Sequence, residues 1–154
     1  MKEELITAAG LGAVTGLRSM AGLAMTAREL SGRRVPRRAG RLHRWLARDA
    51  VAATLGVMAV GELIVDKLPG VPDRVGPGPL GGRTTLGALL GALAVDGNRL
   101  AGAAVGAAAA VTAAYGGWFL RREFGRATML PDPFVAVAED ALALAGAREM
   151  ADRI

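Results

Sequence analysis

The fold of this chain is decided by its first apolar stretch, LITAAGLGAVTGLRSMAGLAMTA at residues 5–27, which holds one charge, Arg18. These 23 residues are long enough to cross a bilayer, since about 20 helical residues span the hydrocarbon core. A charge near the middle of such a segment is costly, so it needs compensation and marks a site. The stretch therefore predicts a transmembrane helix with a buried arginine.

Further apolar segments follow along the chain, at residues 50–68, 84–95, 100–120 and 134–147. The third of them carries no charge at all, whereas the 12 residues of the second are too few to cross comfortably. The Pro/Gly-rich residues 69–82 predict an irregular loop. We therefore expect an all-α, polytopic membrane helix bundle of three to four transmembrane helices in a single domain, residues 1–154.

The composition agrees with helices that approach closely in lipid. Apolar residues make up 52% of the chain but aromatic residues only 4%, and 22 residues are Gly. Small residues favour close backbone contact where packing drives association. The chain has no Cys and one His, His43, which excludes disulfides and the usual zinc sites. We expect no metal and no cofactor.

Two basic segments orient the chain. Residues 28–48 hold eight of the 17 arginines, and residues 121–126 hold three more. Because positive loops are retained in the cytoplasm, both should be cytoplasmic, with the N-terminus outside. That arrangement favours residues 84–95 as a short re-entrant or half-length helix. The alternative is a full crossing, which would place one basic segment on the wrong side.

A short interfacial helix is predicted within residues 28–48. Its apolar side chains share one helical face and its arginines lie off that face; the apolar set is Leu42, Trp45 and Leu46, and the basic set is Arg41, Arg44 and Arg48. Trp anchors and basic residues are typical of the membrane interface. Nucleic acid is the alternative partner for so basic a segment, but we expect the lipid bilayer.

Several ionisable residues fall in or beside apolar segments. We expect Arg18, Glu62 and Glu139 to form a buried cluster, with Asp66 and Asp140 at its edges, because a buried arginine needs carboxylates. The alternative is an ion-pair staple with no ligand. Asp66 with Lys67 also fits a helix end at the interface.

Three Gly-x-x-x-Gly pairs occur in the apolar segments: Gly12 and Gly16, Gly87 and Gly91, and Gly102 and Gly106. This spacing allows helix backbones to approach. Three such faces exceed the obvious need of one small bundle, so we expect a homo-oligomer.

A weak internal repeat pairs residues 1–80 with residues 81–154. Arg-Glu-Leu-x-Gly-Arg at 28–33 is similar to Arg-Glu-Phe-Gly-Arg at 122–126, and the repeat pairs Glu62 with Glu139. Chance similarity in Ala-rich sequence is the alternative. Internal repeats are common in transporters.

No catalytic residues are evident. Ser19 and Ser31 have no partner His in an apolar segment, and His43 lies in the basic segment. Glu62 and Glu139 form a conceivable carboxylate pair, but nothing predicts a substrate site for it. We therefore expect no enzyme, with a lipid-processing enzyme as the remaining catalytic alternative.

Three motifs carry a resemblance to a known family: Gly-Leu-Arg-Ser-Met at 16–20, Gly-Glu-Leu-Ile-Val-Asp-Lys-Leu-Pro at 61–69, and Leu-Pro-Asp at 130–132 followed by Ala-Glu-Asp-Ala at 138–141. The chain resembles the small bacterial integral membrane proteins grouped as domain of unknown function 4126. The resemblance covers most of the chain and implies a multi-pass protein of the bacterial inner membrane. It implies no activity, but it gives weight to Arg18, Glu62, Asp66, Lys67, Glu139 and Asp140.

Buried ionisable groups in a bundle of small residues are typical of proton- or ion-coupled transport. We therefore expect a small transporter or channel. The alternative is a structural or partner-binding membrane protein whose charges only staple the helices. A wet cavity around the acids would favour transport, and a dry, fully paired cluster would favour the alternative.

Overall fold

Every regular element in the described part of the chain is an α-helix, which confirms the predicted all-α class. The computed structural model describes residues 2–36, 39–66, 75–127 and 132–154; the side chains of 124–127, 132–136, 138 and 139 also lie outside the description. The helices are α1 (Lys2–Leu17), α2 (Ser19–Gly32), α3 (Arg41–Leu46), α4 (Asp49–Val65), α5 (Pro77–Leu93), α6 (Arg99–Ala127) and α7 (Asp132–Ala151).

The first apolar stretch is two helices, and the prediction of one continuous span over residues 5–27 is wrong. Arg18 is extended, with φ −140° and ψ 109°, and separates α1 from α2. The two helices fold back on each other, because a Cβ placed on Gly22 would lie 2.8 Å from the Thr15 hydroxyl oxygen and 3.6 Å from the Leu11 carbonyl oxygen. Residues 2–32 therefore form a helical hairpin with Arg18 at its turn.

The glycine pairs build a seam between α1, α5 and α6. A Cβ on Gly12 would overlap the carbonyl oxygen of Gly106, and a Cβ on Gly106 would overlap that of Gly87. Gly91 and Gly102 approach each other in the same way, and Gly16 contacts Ala110. The predicted close packing thus occurs inside one chain, where van der Waals contact between backbones stabilises the helices. The glycines therefore no longer argue for an oligomer.

The helices that carry the acids pack around α2. Helix α4 runs antiparallel to α2, because Glu62 contacts Ser19 while Asp49 and Ser31 line one groove near the other end. Helix α7 packs against both arms of the hairpin, and Ala147 lies between Val14 and Ala21. The turn of the hairpin is thus enclosed between α4 and α7.

Helix α5 corrects two predictions. It is a single helix that includes Pro77–Gly82 of the predicted loop, and it contains the predicted re-entrant segment 84–95 as far as Leu93 without a turn. Proline is tolerated here because the first-turn N–H groups of a helix need no intrahelical acceptor. The proline-rich composition therefore marks a helix start within residues 75–82, while residues 67–74 lie outside the described residues.

The uncharged segment 100–120 is helical, as predicted. It lies within helix α6, which extends beyond the segment at both ends. Within the described residues, its segment Arg99–Glu123 is the one helix long and apolar enough to cross a membrane. Arg99 lines a cavity with Arg33 and His43, whereas Arg121 lies 22 residues further along the same helix, about 33 Å at 1.5 Å per residue. The two basic segments therefore lie at opposite ends of α6.

The proposed repeat has no counterpart in the helices. It would make residues 5–27 equivalent to residues 100–120, but the former are a broken hairpin and the latter one helix. The two halves therefore differ in structure at this pair of segments.

Helix α4 has several large apolar side chains that are exposed. On α4 only Leu55 is buried, while Val57 is 73% exposed and Ile64 59% exposed. Met58, Val60 and Val65 extend the same exposed surface. Contiguous apolar surface of this kind is rare on monomers in water.

Candidate functional site

The centre of the candidate site is the break between α1 and α2. The Arg18 N–H donates to the Val14 carbonyl at 2.8 Å and closes the last turn of α1, and α2 begins at the next residue. No Pro or Gly occupies the break itself, so local sequence does not force it. Contacts with other parts of the fold therefore keep Arg18 in its extended conformation.

The Arg18 side chain is 1% exposed and binds one carboxylate at the C-terminal end of α4 and one on α7. Its Nε donates to Asp140 Oδ1 at 2.6 Å, and its Nη2 donates to the same oxygen. Its Nη1 donates to Asp66 Oδ2. Charge-assisted bonds of a planar guanidinium to two carboxylates offset the cost of burying the cation. Arg18 thus ties the hairpin turn to the end of α4 and to α7.

Glu62 caps the second arm of the hairpin from α4. Its Oε1 accepts the Ser19 N–H at 2.9 Å and the Ser19 hydroxyl, and its Oε2 accepts the Met20 N–H at 2.8 Å. The first N–H groups of a helix have no intrahelical acceptor, and the N-terminus carries a partial positive charge. The Glu62 carboxylate therefore supplies acceptors and negative charge where α2 needs both.

Arg83 is a site residue that the sequence analysis missed. It is 4% exposed on α5, and its Nη2 lies 3.8 Å from Glu62 Oε1. The assignment of residues 69–82 to a loop placed it at the edge of an apolar segment. A helix starting at Pro77 would have placed it nearly two turns inside α5, where a charge needs explanation. Pro77, a residue type common in the first turn of a helix, was the feature of the sequence that could have indicated this helix start.

The structure brings four of the six predicted cluster residues together, with altered partners. Arg18 binds Asp66 and Asp140, which were expected at the edges, and Glu62 binds the backbone of α2 instead of Arg18. Lys67 lies outside the described residues. The Glu139 side chain also lies outside them, although its backbone belongs to α7.

The charges of the described cluster have partners of opposite sign. Three carboxylates face two guanidinium groups, and the pairs are Arg18 with Asp66, Arg18 with Asp140, and Arg83 with Glu62. The side chains of the acids keep a small exposed fraction, 11% for Asp140 and 13% for Asp66. Among the described residues, no set of three His, Asp or Glu side chains is arranged to hold a metal ion.

The predicted interfacial helix exists as α3, but its faces differ from the prediction. Leu46 is fully buried against the core, while Trp45 is 44% exposed. Trp45 and Leu42 share an open groove with the three arginines of the predicted basic face, Arg41, Arg44 and Arg48. Leu46 packs in the core with Leu42 against it, and Trp45 lies in the groove that the basic side chains line.

Comparison of the chain with protein-family models, with curated proteins and with solved structures found no match.

Proposed function

We propose that this protein is a small multi-pass transporter or channel of the bacterial inner membrane, proton- or ion-coupled, with the Arg18 cluster as its ion-handling site. One observation carries the proposal: a buried charge cluster surrounds a break between two helices, level with the middle of α6. Gly16 contacts Ala110 and Ala113, close to the centre of Arg99–Glu123. Broken helices near the bilayer midplane are where many transporters bind ions and substrates.

The exposed surface supports a membrane location. The apolar face of α4 is exposed. On α6, the side chains of Tyr115 and Phe119 are also about half exposed. Lipid would cover these side chains at no cost, while water would not. The resemblance to the small membrane proteins of domain of unknown function 4126 points the same way.

Glu62 is the residue that would couple a proton to a change of shape. As a carboxylate it holds the start of α2 and pairs with Arg83. Protonation would remove its negative charge, weaken both interactions, and loosen the hairpin turn. The two arms of the hairpin would then be free to shift against α4 and α5, which is the kind of helix movement that opens a path for an ion.

Proton flux in proteoliposomes tests this function. A pH-sensitive dye inside the vesicles would report collapse of an imposed pH gradient, under a potassium diffusion potential, in wild type and in empty vesicles. We expect wild type to collapse the gradient faster than empty vesicles, and Glu62→Gln to slow it. Glu3→Gln, an exposed position in the first turn of α1, is the matched control and should behave as wild type. A wild-type rate equal to that of empty vesicles would contradict a proton-coupled function.

A second function is favoured by the pairing of the described charges. If Arg18, Asp66 and Asp140 only join helices, the protein is a structural or partner-binding membrane protein. In that case Glu62→Gln should lower stability by loosening α2, and no variant should change proton flux. Because loss of the Glu62 charge loosens α2 under either function, proton flux is the measurement that separates the two.

A homo-oligomer remains a proposal that rests on a different surface from the glycine pairs. The exposed face of α4 carries several large apolar side chains, and a two-fold dimer is the simplest assembly that would cover it. Native mass spectrometry in mild detergent tests it. A monomer at all concentrations would contradict it.

A further inference from the structure

A cavity of about 590 Å³ lies at the end of the bundle where α1 begins and α2 ends, and the Arg18 cluster does not line it. Its wall is rich in charge: the cations are Arg33, Arg34, Arg99 and Arg153, the acids are Glu4 and Asp96, and the sole histidine is His43. Five helices or their ends contribute these residues. The cavity is thus a convergent, predominantly positive site.

The arginines of this cavity differ in their availability. Arg33 pairs with Glu29 at 2.8 Å and with Asp152 at 3.4 Å, and Arg153 pairs with Glu149 at 2.8 Å. Within the described residues, Arg34 and Arg99 form no ion pair. Two guanidinium groups therefore line the cavity without an ion-pair partner among the described residues, and such groups attract anions.

Arg99 and His43 both lie beside Gly40 in the wall of the cavity. A Cβ built on Gly40 would lie 3.9 Å from Arg99 Nη1 and 4.0 Å from His43 Nδ1. Burial and the positive charge of Arg99 lower the pKa of His43, and Asp96 opposes them. The pKa of the His43 imidazole therefore depends on the charge of Arg99 beside it.

We propose that this cavity binds a phosphate-bearing anion through the guanidinium groups of Arg34 and Arg99. The planar fork of Arg matches phosphate oxygens in a bidentate fashion, and the bonds are charge-assisted. Basic pockets at the ends of membrane helices bind phospholipid headgroups, and a free phosphate offers the same oxygens. The site is independent of the Arg18 cluster and goes beyond the transport proposal.

His43 reports on the site by NMR, because a single histidine gives a single set of ring signals. Its ring would be followed in full-length protein in an uncharged maltoside detergent while a probe is added. Four probes distinguish the sources: sodium phosphate against sodium chloride at equal ionic strength, and short-chain phosphatidylglycerol against short-chain phosphatidylcholine. A bound anion would offset Arg99, so the pKa of His43 should rise saturably.

The results of the four titrations distinguish the possible sources of the bound anion. Saturation by sodium phosphate identifies a free phosphate as sufficient, and saturation by phosphatidylglycerol alone identifies a lipid headgroup. If neither probe moves the His43 signal beyond its chloride or phosphatidylcholine control, the proposal is wrong. This comparison uses wild-type protein only, so it does not depend on any variant folding.

Matched variants test the assigned side chains. The double variant Arg34→Gln, Arg99→Gln should bind the effective probe at least about tenfold more weakly, since it removes both charge-assisted donors. Arg41→Gln with Arg48→Gln removes the same charge from the separate groove beside Trp45 and should keep wild-type affinity. Equal loss in both double variants would mean that net charge alone attracts the anion, and it would overturn the site.

Discussion

Arg18 Nε donates a hydrogen bond of 2.6 Å to Asp140 Oδ1, across 122 residues of sequence. This bond joins the turn of the α1–α2 hairpin to the middle of α7. The acceptor side chain is 11% exposed and the donor 1%, so little water competes for either group. Removing one partner would leave a buried charge, which costs more than the pair contributes as a whole.

Arg18→Ala should therefore destabilise the protein, by about 3–5 kcal/mol, because it strands two carboxylates. Asp66→Asn with Asp140→Asn in the Arg18→Ala background should restore part of this loss, since no unpaired charge remains. Thermal unfolding in detergent measures the single, double and triple variants. No loss in Arg18→Ala, or no coupling among the variants, would contradict a structural role for the pair.

The glycine seam gives a prediction with a control on the same helix. Gly106→Ala should lower the free energy of unfolding, because its Cβ would overlap the backbone of Gly87. Gly116→Ala meets nothing within 4 Å and should be neutral, or stabilise by about 0.5–1 kcal/mol through helix propensity. Thermal unfolding of both variants provides the comparison. Equal midpoints would mean that the seam does not constrain α6.

Membrane orientation can be tested with two glycines that have open space around them. Gly32 lies in the basic segment and Gly78 at the start of α5, toward the opposite end of the bundle. Because eight arginines follow residue 27 before residue 49, we expect Gly32 on the cytoplasmic side. In intact cells an impermeant thiol reagent should label Gly78→Cys and spare Gly32→Cys. Labelling of both or of neither would contradict a membrane that separates the two ends.

Acid should destabilise the protein through His43. Burial, then Arg99, lowers the pKa of its imidazole below the ordinary 6.5, despite Asp96. The folded state therefore binds the proton less readily than the unfolded state, and stability falls as pH drops through 6.5 and levels off below the folded pKa. The thermal midpoint of wild type minus that of His43→Gln should decline over this range. A difference that stays constant with pH would exclude this effect, and the carboxylates common to both proteins cancel in it.

The sequence by itself determined the helical class and most of the residues that meet at the cluster. Long apolar runs rich in Ala and Gly favour helices, and a charge such as Arg18 in such a run requires carboxylates somewhere in the fold. Those two arguments are local or depend on composition, so they needed no coordinates. The close packing of Gly12, Gly87 and Gly106 follows from spacing for the same reason.

Only the tertiary structure decided where the chain turns and which acid meets which base. Nothing at Arg18 breaks a helix locally; the turn is held by Glu62 on α4, whose carboxylate accepts the N–H groups that α2 leaves open. Asp140 binds Arg18 because α7 packs against both arms of the hairpin. Such choices depend on contacts between segments far apart in sequence, and periodicity along one segment carries no information about them.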